Sequence, residues 1–548
     1  MNSYKLKLHG HDVAIKKVSE DTFVPKNTEV LTEVFNTKEF DPQRTGLYDD
    51  TPINNEAKRF YLIESFCTVV THNIKEECAI LLKSLRQHHE QPVYIICDKK
   101  TCNFLNTFDF QNIHYICTAE EPMLEKINEK YFRNLFKHLN SNFHKTAPIL
   151  KKMEAMNAAL LQHDNTFFLD TDIIILDSLQ EKFTKEVCLS PHYYPKIETY
   201  KGFQYGFYNA GYIFTTSKEL PNIWKWLYLN DSSFYEQEGM NRIPNFHRVE
   251  VFGKEHNFGL WRDTKQKFKL KSIHAHLSTS LDKDANDVHL EMNKDIRDYA
   301  FNYLKKNHSD LYDYAKAIID APKRNAFVHF GKCAGQYTEN YMCSKIFKFY
   351  GPGYKLYNSF WSTNGKLDTV DERRDYTKLE FETIIHNLKE DDYIHVHGHH
   401  INWDVSSVKL YKDNNFFMFT FLRDPRDLLC SLMHWSNEKN VQLSNIENPK
   451  TLNEMFEAAL TDEGIKRLWQ IPEYTSMLDS VKIFSHKNFS EFLYKNYGHT
   501  YKPIQKKNTS KNKGFDFYYS NGDIDKGLVE KFMKTDGYKE YYKYGLVD

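Results

Sequence analysis

The segment Asn165 to Ser178, NTFFLDTDIIILDS, constrains this chain more than any other. Thr166 to Leu169 reads as a buried strand that delivers Asp170-Thr171-Asp172 to its carboxyl end, and a second apolar run, Ile173 to Leu176, follows at once. Strands apolar at consecutive residues belong to sheets covered on both faces. Two carboxylates one residue apart between such runs are costly unless a cation neutralises them. A hard divalent cation with oxygen ligands is the usual solution, and ligands of open α/β sheets sit outside the carboxyl ends of the strands. The segment therefore points to a metal–diphosphate site. The competing reading is a tight turn with two solvated aspartates.

A chain of 548 residues is too long for one core and implies two or three domains. Its 73 Lys+Arg and 74 Asp+Glu nearly cancel, so no global field draws it to nucleic acid or a membrane. Nine cysteines without paired C-x-x-C spacing read as reduced and cytoplasmic, with neither a disulfide frame nor a zinc site. The start, MNSYKLKLHGHD, lacks the apolar core of a signal peptide. No run of about 18 apolar residues predicts an integral membrane segment.

Residues 1–60 are polar, alternate weakly around Tyr4 to Ile15, and read as an N-terminal appendage or small β element. From Ser65 the pattern becomes strand (Ser65 to Val70, ending at Thr71-His72-Asn73), helix (Lys75 to His88), strand (Pro92 to Cys97) and strand (Asn112 to Cys117). Such alternation predicts a parallel sheet with right-handed crossovers. No G-x-G-x-x-G follows the first strand, which disfavours a dinucleotide site. A helix from Leu150 to Leu161 leads into the Asp170 strand. It carries Lys151 and Lys152, which are either solvated or, for one of them, turned toward a diphosphate. Asn209-Ala210-Gly211 opens a short apolar strand where small residues permit close approach. A helix around Leu220 to Leu229 follows. Lys271 to Leu277 reads as a strand with His274 and His276 on one face. Residues 280–322 are charged and helical, a bridge that ends at Pro322.

Taken together, strand-ending VTHN, the LDTD segment, the YNAGYIF strand and the late HAH resemble the GT-A nucleotide-sugar glycosyltransferases of the glycogenin-like, D-x-D type, over roughly residues 60–320. The resemblance implies that Asp170 and Asp172 bind Mn2+ or Mg2+ and a nucleotide-diphosphate sugar, with His276 (or His274) completing the metal shell. It implies further that Thr71, Asn73 and Asn209 face the sugar donor or acceptor, and that Lys152 (or Lys151) meets the diphosphate.

A second α/β pattern starts at Arg324. A strand, Asn325 to Phe330, is followed by Gly331-Lys332-Cys333-Ala334-Gly335-Gln336-Tyr337-Thr338 and a helix through Tyr341. A strand, a glycine-bearing loop with one lysine, and a helix make a phosphate cradle. It is not a Walker A sequence, because Lys332 precedes Gly335. Further on, Phe416 to Leu422 forms a buried strand that delivers Arg423, with Asp424 as N-cap and Pro425 as first residue of a helix carrying Ser431. Arg423 either serves an anion or forms a structural ion pair with Asp424 or Asp427. Between the two segments, YIHVHGHH places His395, His397 and His399 on one face of a strand and its exit. These are candidates for a general base, with zinc ligation or burial in the core as the other readings.

VHFGKCAGQYTEN, FLRDPRDLLCSLMHW and the later KKNTSKNKG together resemble the PAPS-dependent sulfotransferases, over residues 324 to about 515. That resemblance implies a 5′-phosphosulfate loop of Gly331, Lys332, Cys333, Ala334, Gly335, Gln336, Tyr337 and Thr338, with Lys332 neutralising the leaving phosphate. It implies a 3′-phosphate site of Arg423 and Ser431, and a closing basic loop with Lys511 and Lys513. It places the base at His399 or His397. Gln336 departs from the Thr or Ser common in that family.

The expected architecture is α/β in two domains: a GT-A nucleotide-diphospho-sugar transferase fold at 61–320, then a P-loop-like sulfotransferase fold, a parallel sheet flanked by helices, at 323–548. The expected function is metal-dependent glycosyl transfer joined to sulfuryl transfer from PAPS onto a glycan or glycolipid hydroxyl, in the cytoplasm, with peripheral attachment to a polysaccharide-assembly system. Two rivals stand beside it: a sulfotransferase whose N-terminal half only binds glycan or nucleotide, and a non-catalytic nucleotide-binding scaffold.

Overall fold

The computed structural model describes residues 3–8, 11–19, 22–25, 60–118, 146–179, 182–194, 206–230, 236–260, 262, 268–278, 287–329, 355–359, 366–369, 375–377, 383, 385–387, 394–399, 405–439, 450–460, 481–485, 488–500, 514–536 and 538–539. The chain divides into two compact units, Met1–Ile319 and Asp320–Asp548. Both are mixed α/β structures with parallel-rich sheets.

In the first unit β1 (Ser3–Leu8), β2 (His11–Ser19) and β3 (Thr22–Pro25) form a separate antiparallel sheet. The main sheet starts with β4 (Phe66–Val70), β5 (Val93–Asp98) and β6 (Ile113–Thr118), parallel to one another, with β7 (Thr166–Leu169) parallel to β4 on its other side. Helix α1 (Lys75–Leu85) follows β4, α2 (Lys99–Leu105) follows β5, and α3 (Thr146–Leu160) leads into β7. Strand β8 (Ile173–Ile175) leaves the sheet, and β9 (Val187–Pro191), β10 (Tyr208–Thr215) and β11 (Val249–Val251) complete the order β11-β9-β10-β7-β4-β5-β6. The strand β12 (Ser272–His274) pairs with β8 in a two-stranded antiparallel ribbon. Helices α4 (Leu220–Asn230), α5 (Glu236–Met240), α6 (Asp287–Asn307) and α7 (Ser309–Ile319) surround these sheets.

Both faces of the sheet are covered, as its apolar strands require. On β7, Phe168 packs in a cluster with Met153 and Met156 of α3 and Trp224 and Leu227 of α4. Phe167, on the opposite face, meets Tyr212 and Phe252 at ring separations of 4.9 and 5.3 Å. Burying each of these phenylalanines contributes about 1.5–3 kcal/mol. Strand order reverses at the β4–β7 pair, so the crevice outside their carboxyl ends is the switch point where open α/β sheets bind ligands. Thr71 and Asp170 stand at those two ends.

The second unit has strands β13 (Arg324–His329), β14 (Lys355–Ser359), β15 (Lys366–Thr369), β16 (Asp375–Thr377), β17 (Ile394–His399), β18 (Phe417–Leu422) and β19 (Lys482–Ser485) in the order β16-β15-β14-β17-β13-β18-β19. The five from β14 to β19 in that order are parallel, and β15 and β16 are antiparallel additions at one edge. Its helices are α8 (Val405–Asp413), α9 (Pro425–Lys439), α10 (Leu452–Ala458), α11 (Phe489–Tyr497), α12 (Phe515–Ser520) and α13 (Lys526–Met533). Phe419 and Phe421 of β18 pack on Phe492 of α11 at 4.8 and 4.9 Å. Leu428, Leu429 and Met433 of α9 join Phe456 and Phe532 in the opposite layer.

Several element limits differ from the sequence reading for physical reasons. The helix expected at Leu150 begins at Thr146, because Pro148 falls in the first turn, where its missing N–H removes no helix bond. The helix expected to reach His88 ends at Leu85 and closes in a turn, with Arg86 N–H donating to Leu82 C=O. The strand expected over Lys271 to Leu277 stops at His274: the Ala275 N–H donates to Asp172 C=O, and His276 turns to φ +43°. Among the described residues no helix is long and apolar enough to cross a membrane.

Candidate active site

The ribbon explains how the D-x-D segment meets the distant histidines. Antiparallel register sets Ile173 opposite His274, so Asp172, one step before β8, lies beside the end of β12. His274 Nε2 and His276 Nδ1 each stand 3.1 Å from Asp172 Oδ2. The two imidazoles are 4.8 Å apart. They converge because His276 leaves the strand in the left-handed conformation, and not, as alternation had implied, because both side chains occupy one strand face.

The buried Oδ1 of Asp172 has no hydrogen-bond partner among the described residues. A second feature concerns the tautomer of His274. Its Nδ1 lies 3.1 Å from Asn257 Oδ1, and Asn257 is oriented by donating its Nδ2 to Ser190 Oγ at 3.1 Å. Asn257 then accepts the Nδ1 proton, and in the neutral ring the Nε2 lone pair faces the Asp172 carboxylate. That contact is stable only with an added proton or a cation between the two groups. One ligand atom from each of Asp172, His274 and His276 lies within 4.8 Å of the others. The residues fit a divalent cation: a carboxylate, two imidazoles, one of them held by an outer hydrogen bond, and an open carboxylate oxygen.

Asp170 has a different partner. Lys152 Nζ lies 2.9 Å from its Oδ1 and 3.0 Å from its Oδ2, and 3.1 Å from Glu236 Oε1. Lys151, by contrast, pairs with Glu154 on the helix surface. Close packing sets this geometry: Asp170 N–H donates to Gly211 C=O at 2.8 Å, and a Cβ at Gly211 would overlap the Asp170 carboxylate. Burial disfavours the Lys152 ammonium, but Asp170 and Glu236 outweigh it and hold the group charged. Burial also pushes the Asp170 carboxyl up, and Asp172 adds to the rise against the pull of Lys152. Burial opposes the Asp172 charge as well, yet His274 and His276 bring its carboxyl below the usual range.

The remaining candidates lie around this crevice. Thr71 is half-buried and precedes a single 3-10 turn, His72–Ile74, in which Asn73 is exposed. Asn209 is buried, and its Oδ1 accepts the Gly211 N–H at 2.9 Å, shaping the bulge between β9 and β10. Three contributors escaped the sequence reading. Glu236 and Asn257 carry no sequence signal. Glu77 does, since it shares the apolar stripe of α1 with Leu81 and Leu85. Its Oε1 accepts the Ser278 N–H at 2.6 Å, and burial, with Asp172 behind it, pushes its pKa up to about 8.

In the second unit, Arg423 follows β18 directly, at the same sheet end where β13 finishes with His329. Asp424 caps α9: its Oδ1 accepts the Arg426 N–H at 2.8 Å, and its carboxylate pairs with the Arg426 guanidinium. Arg426 lies 4.9 Å over the Phe515 ring, and Asp427 Oδ1 accepts the Phe515 N–H at 2.7 Å. Gly514, at φ +90°, ends the KKNTSKNKG segment against that same helix N-terminus. Ser431 is buried on α9. His395 is wholly buried between neighbouring strands, and burial lowers its pKa to about 3, so the core reading applies to it. The backbones of His397 and His399 lie on β17. Gly331, Lys332, Cys333, Ala334, Gly335, Gln336, Tyr337, Thr338, Lys511 and Lys513 lie outside the described residues.

No protein-family model matches the chain, and no curated protein matches it. Among solved structures it is similar to the galactosyltransferase LgtC in complex with donor and acceptor sugar analogues, at 14% identity over 43% of this chain and 95% of that one, with a TM-score of 0.28. It is similar to mouse xyloside xylosyltransferase 1 in its apo form, at 12% identity over 38% of this chain and 97% of that one, with a TM-score of 0.28. It is also similar to the apo bifunctional glycosyltransferase WbbM, at 13% identity over 41% of this chain and 46% of that one, with a TM-score of 0.27.

Proposed function

We propose that the first unit transfers a sugar from a nucleotide-diphosphate sugar in a metal-dependent reaction. The observation that carries this reading is the convergence of Asp172, His274 and His276 beside Asp170 at the switch point of the sheet. Asp172, with His274 or His276, and Asp170 would hold a divalent cation such as Mn2+ or Mg2+, which would supply neutralising charge to a departing diphosphate. Lys152 holds Asp170 in place and keeps a second positive charge at the crevice floor. Asn257 fixes the His274 ring, and Gly211 keeps the space beside Asp170 open. Thr71, Asn73 and Asn209 are proposed to face the donor or the acceptor.

For the second unit we propose sulfuryl transfer from PAPS to a glycan hydroxyl, as the motif resemblance implies. Its support is the meeting of three sequence-distant parts at one sheet end: the close of β13, Arg423 with the α9 N-terminus, and Gly514 behind the basic segment. Arg423 and Ser431 are assigned to the 3′-phosphate, Lys332 to the leaving phosphate, Lys511 and Lys513 to closure over the nucleotide, and His399 or His397 to deprotonation of the acceptor. Charge-bearing side chains and helix amides supply the stabilisation, a mode that suits a sulfuryl group. One glycan or glycolipid acceptor used by both units, in the cytoplasm and beside a polysaccharide-assembly system, completes the proposal.

Mass spectrometry tests both halves in one reaction: a panel of oligosaccharide acceptors incubated with Mn2+, nucleotide sugars and PAPS. Mass gains of one sugar and of one sulfate are expected. No sugar gain with any donor, and no donor hydrolysis, would overturn the first half. A sugar gain without sulfate would overturn the second.

A further inference from the structure

Outside the crevice, the sheet brings together three cysteines that the sequence scatters. Cys97 lies at the end of β5 and Cys117 near the end of β6, and parallel register sets them directly opposite one another. Opposed residues on adjacent strands project from the same face. Cys102 arrives from α2, whose start is fixed by Asp98: its carboxylate accepts the Thr101 N–H at 2.8 Å and the Thr101 hydroxyl at 2.9 Å. The three Sγ atoms all lie within 4.8 Å of one another. Three thiolates bound to one Zn2+ at about 2.3 Å would stand roughly 4 Å apart, so a small contraction of the triangle would form a coordination shell.

The surroundings also suit a metal. Cys97 and Cys102 are buried, whereas Cys117 is exposed, which leaves one side of the triangle accessible. Asn106 Nδ2 donates to Cys102 Sγ at 3.4 Å, an outer hydrogen bond of the kind that orients metal-bound ligands. None of the three cysteines is in a disulfide. The donor set is sulfur alone, in contrast to the carboxylate and imidazoles at Asp172, and such a set selects thiophilic ions over Mg2+ or Mn2+.

We propose that Cys97, Cys102 and Cys117 hold one thiophilic d10 cation, Zn2+ or Cu+, at a site separate from the Asp172 centre. Binding replaces three S–H protons with three metal–sulfur bonds and releases those protons to solvent. It ties β5, α2 and β6 together at the carboxyl edge of the sheet. This inference is independent of the sugar-transfer reading.

The probe is Cd2+, added to the reduced full-length protein and followed by thiolate-to-metal absorption in the ultraviolet. Absorption rising to saturation at one equivalent is expected, unchanged in Asp172→Ala and weakened at least tenfold in apparent affinity in Cys117→Ser. Cys117 is exposed, so that variant should melt like the wild type without metal; Cys102→Ala provides a second, buried test. Competition by Zn2+ and by Cu+ in parallel arms identifies the preferred ion as the one that displaces Cd2+ at lower concentration. Absence of the absorption at one equivalent, or its persistence unchanged in both cysteine variants, would overturn the site.

Discussion

His274 Nε2 stands 3.1 Å from Asp172 Oδ2, and a two-stranded ribbon holds the pair together across 102 positions of sequence. The opposite nitrogen of the same ring meets Asn257 Oδ1 at 3.1 Å. With Asn257 accepting the Nδ1 proton, Nε2 is the nitrogen left to meet a proton or a cation beside the carboxylate. Asn257→Ala should leave the fold intact and weaken divalent-metal affinity by about 10–100-fold. Calorimetric titration with Mn2+ checks this; an unchanged affinity would mean that the ring orientation does not matter to the site.

Lys152 is the one cation the described structure places between Asp170 and Glu236. Removing it leaves the buried Glu236 and the half-buried Asp170 uncompensated, so Lys152→Ala should destabilise the first unit, by up to about 3 kcal/mol. Adding Asp170→Asn to that variant should recover part of the loss, because the two residues are coupled. Urea unfolding of both variants, followed by circular dichroism, gives the comparison. A single variant as stable as the wild type would show that the pair contributes nothing.

Acid should destabilise both units. Burial, with Arg262 adding to it, lowers the pKa of His192 in the first unit to about 3. Burial alone does the same, to about 3, for His395 and His499 in the second. Above the unfolded value of 6.5 these rings are neutral in both states and stability is unaffected. As pH falls from 6.5 toward 3 the unfolded chain gains protons that the folded chain refuses, and stability drops. Denaturant midpoints measured between those limits should decline steadily, and His395→Phe should flatten the slope for the second unit.

Arg423→Ala should weaken binding of PAP, the desulfated form of the donor, by at least tenfold if Arg423 contacts the 3′-phosphate, while donor-sugar turnover stays at the wild-type level. Calorimetry with PAP reads the first quantity and nucleotide release the second. Equal PAP affinity in the two proteins would favour the non-catalytic scaffold.

The parallel strands were legible because they are apolar at consecutive residues. Thr166 to Leu169 matches its expected limits, β4 starts one residue later than expected, and β5 and β6 are each shifted by one residue at both ends. The aspartates were legible because a strand end with two carboxylates needs a reason. What local pattern could not show is what the fold brings from elsewhere. Asn257 acts through a left-handed turn at φ +48°, and Glu236 reaches Lys152 from a short helix with no motif. Lys151 and Lys152 are adjacent in sequence, and only the helix phase on the packed sheet separates a surface pair from a site residue. The cysteines show the same limit: 97, 102 and 117 have no metal-site spacing along the chain and become neighbours only through strand register and the placement of α2.

Whether Asp172 and His274 form a divalent-metal site is decided by Mn2+ titration of the full chain, read as loss of the free-ion paramagnetic resonance signal. One tight Mn2+ per chain is expected, lost in Asp172→Ala and in His274→Ala and kept in Arg423→Ala. Mn2+ binding that persists with unchanged affinity in both Asp172→Ala and His274→Ala would contradict it.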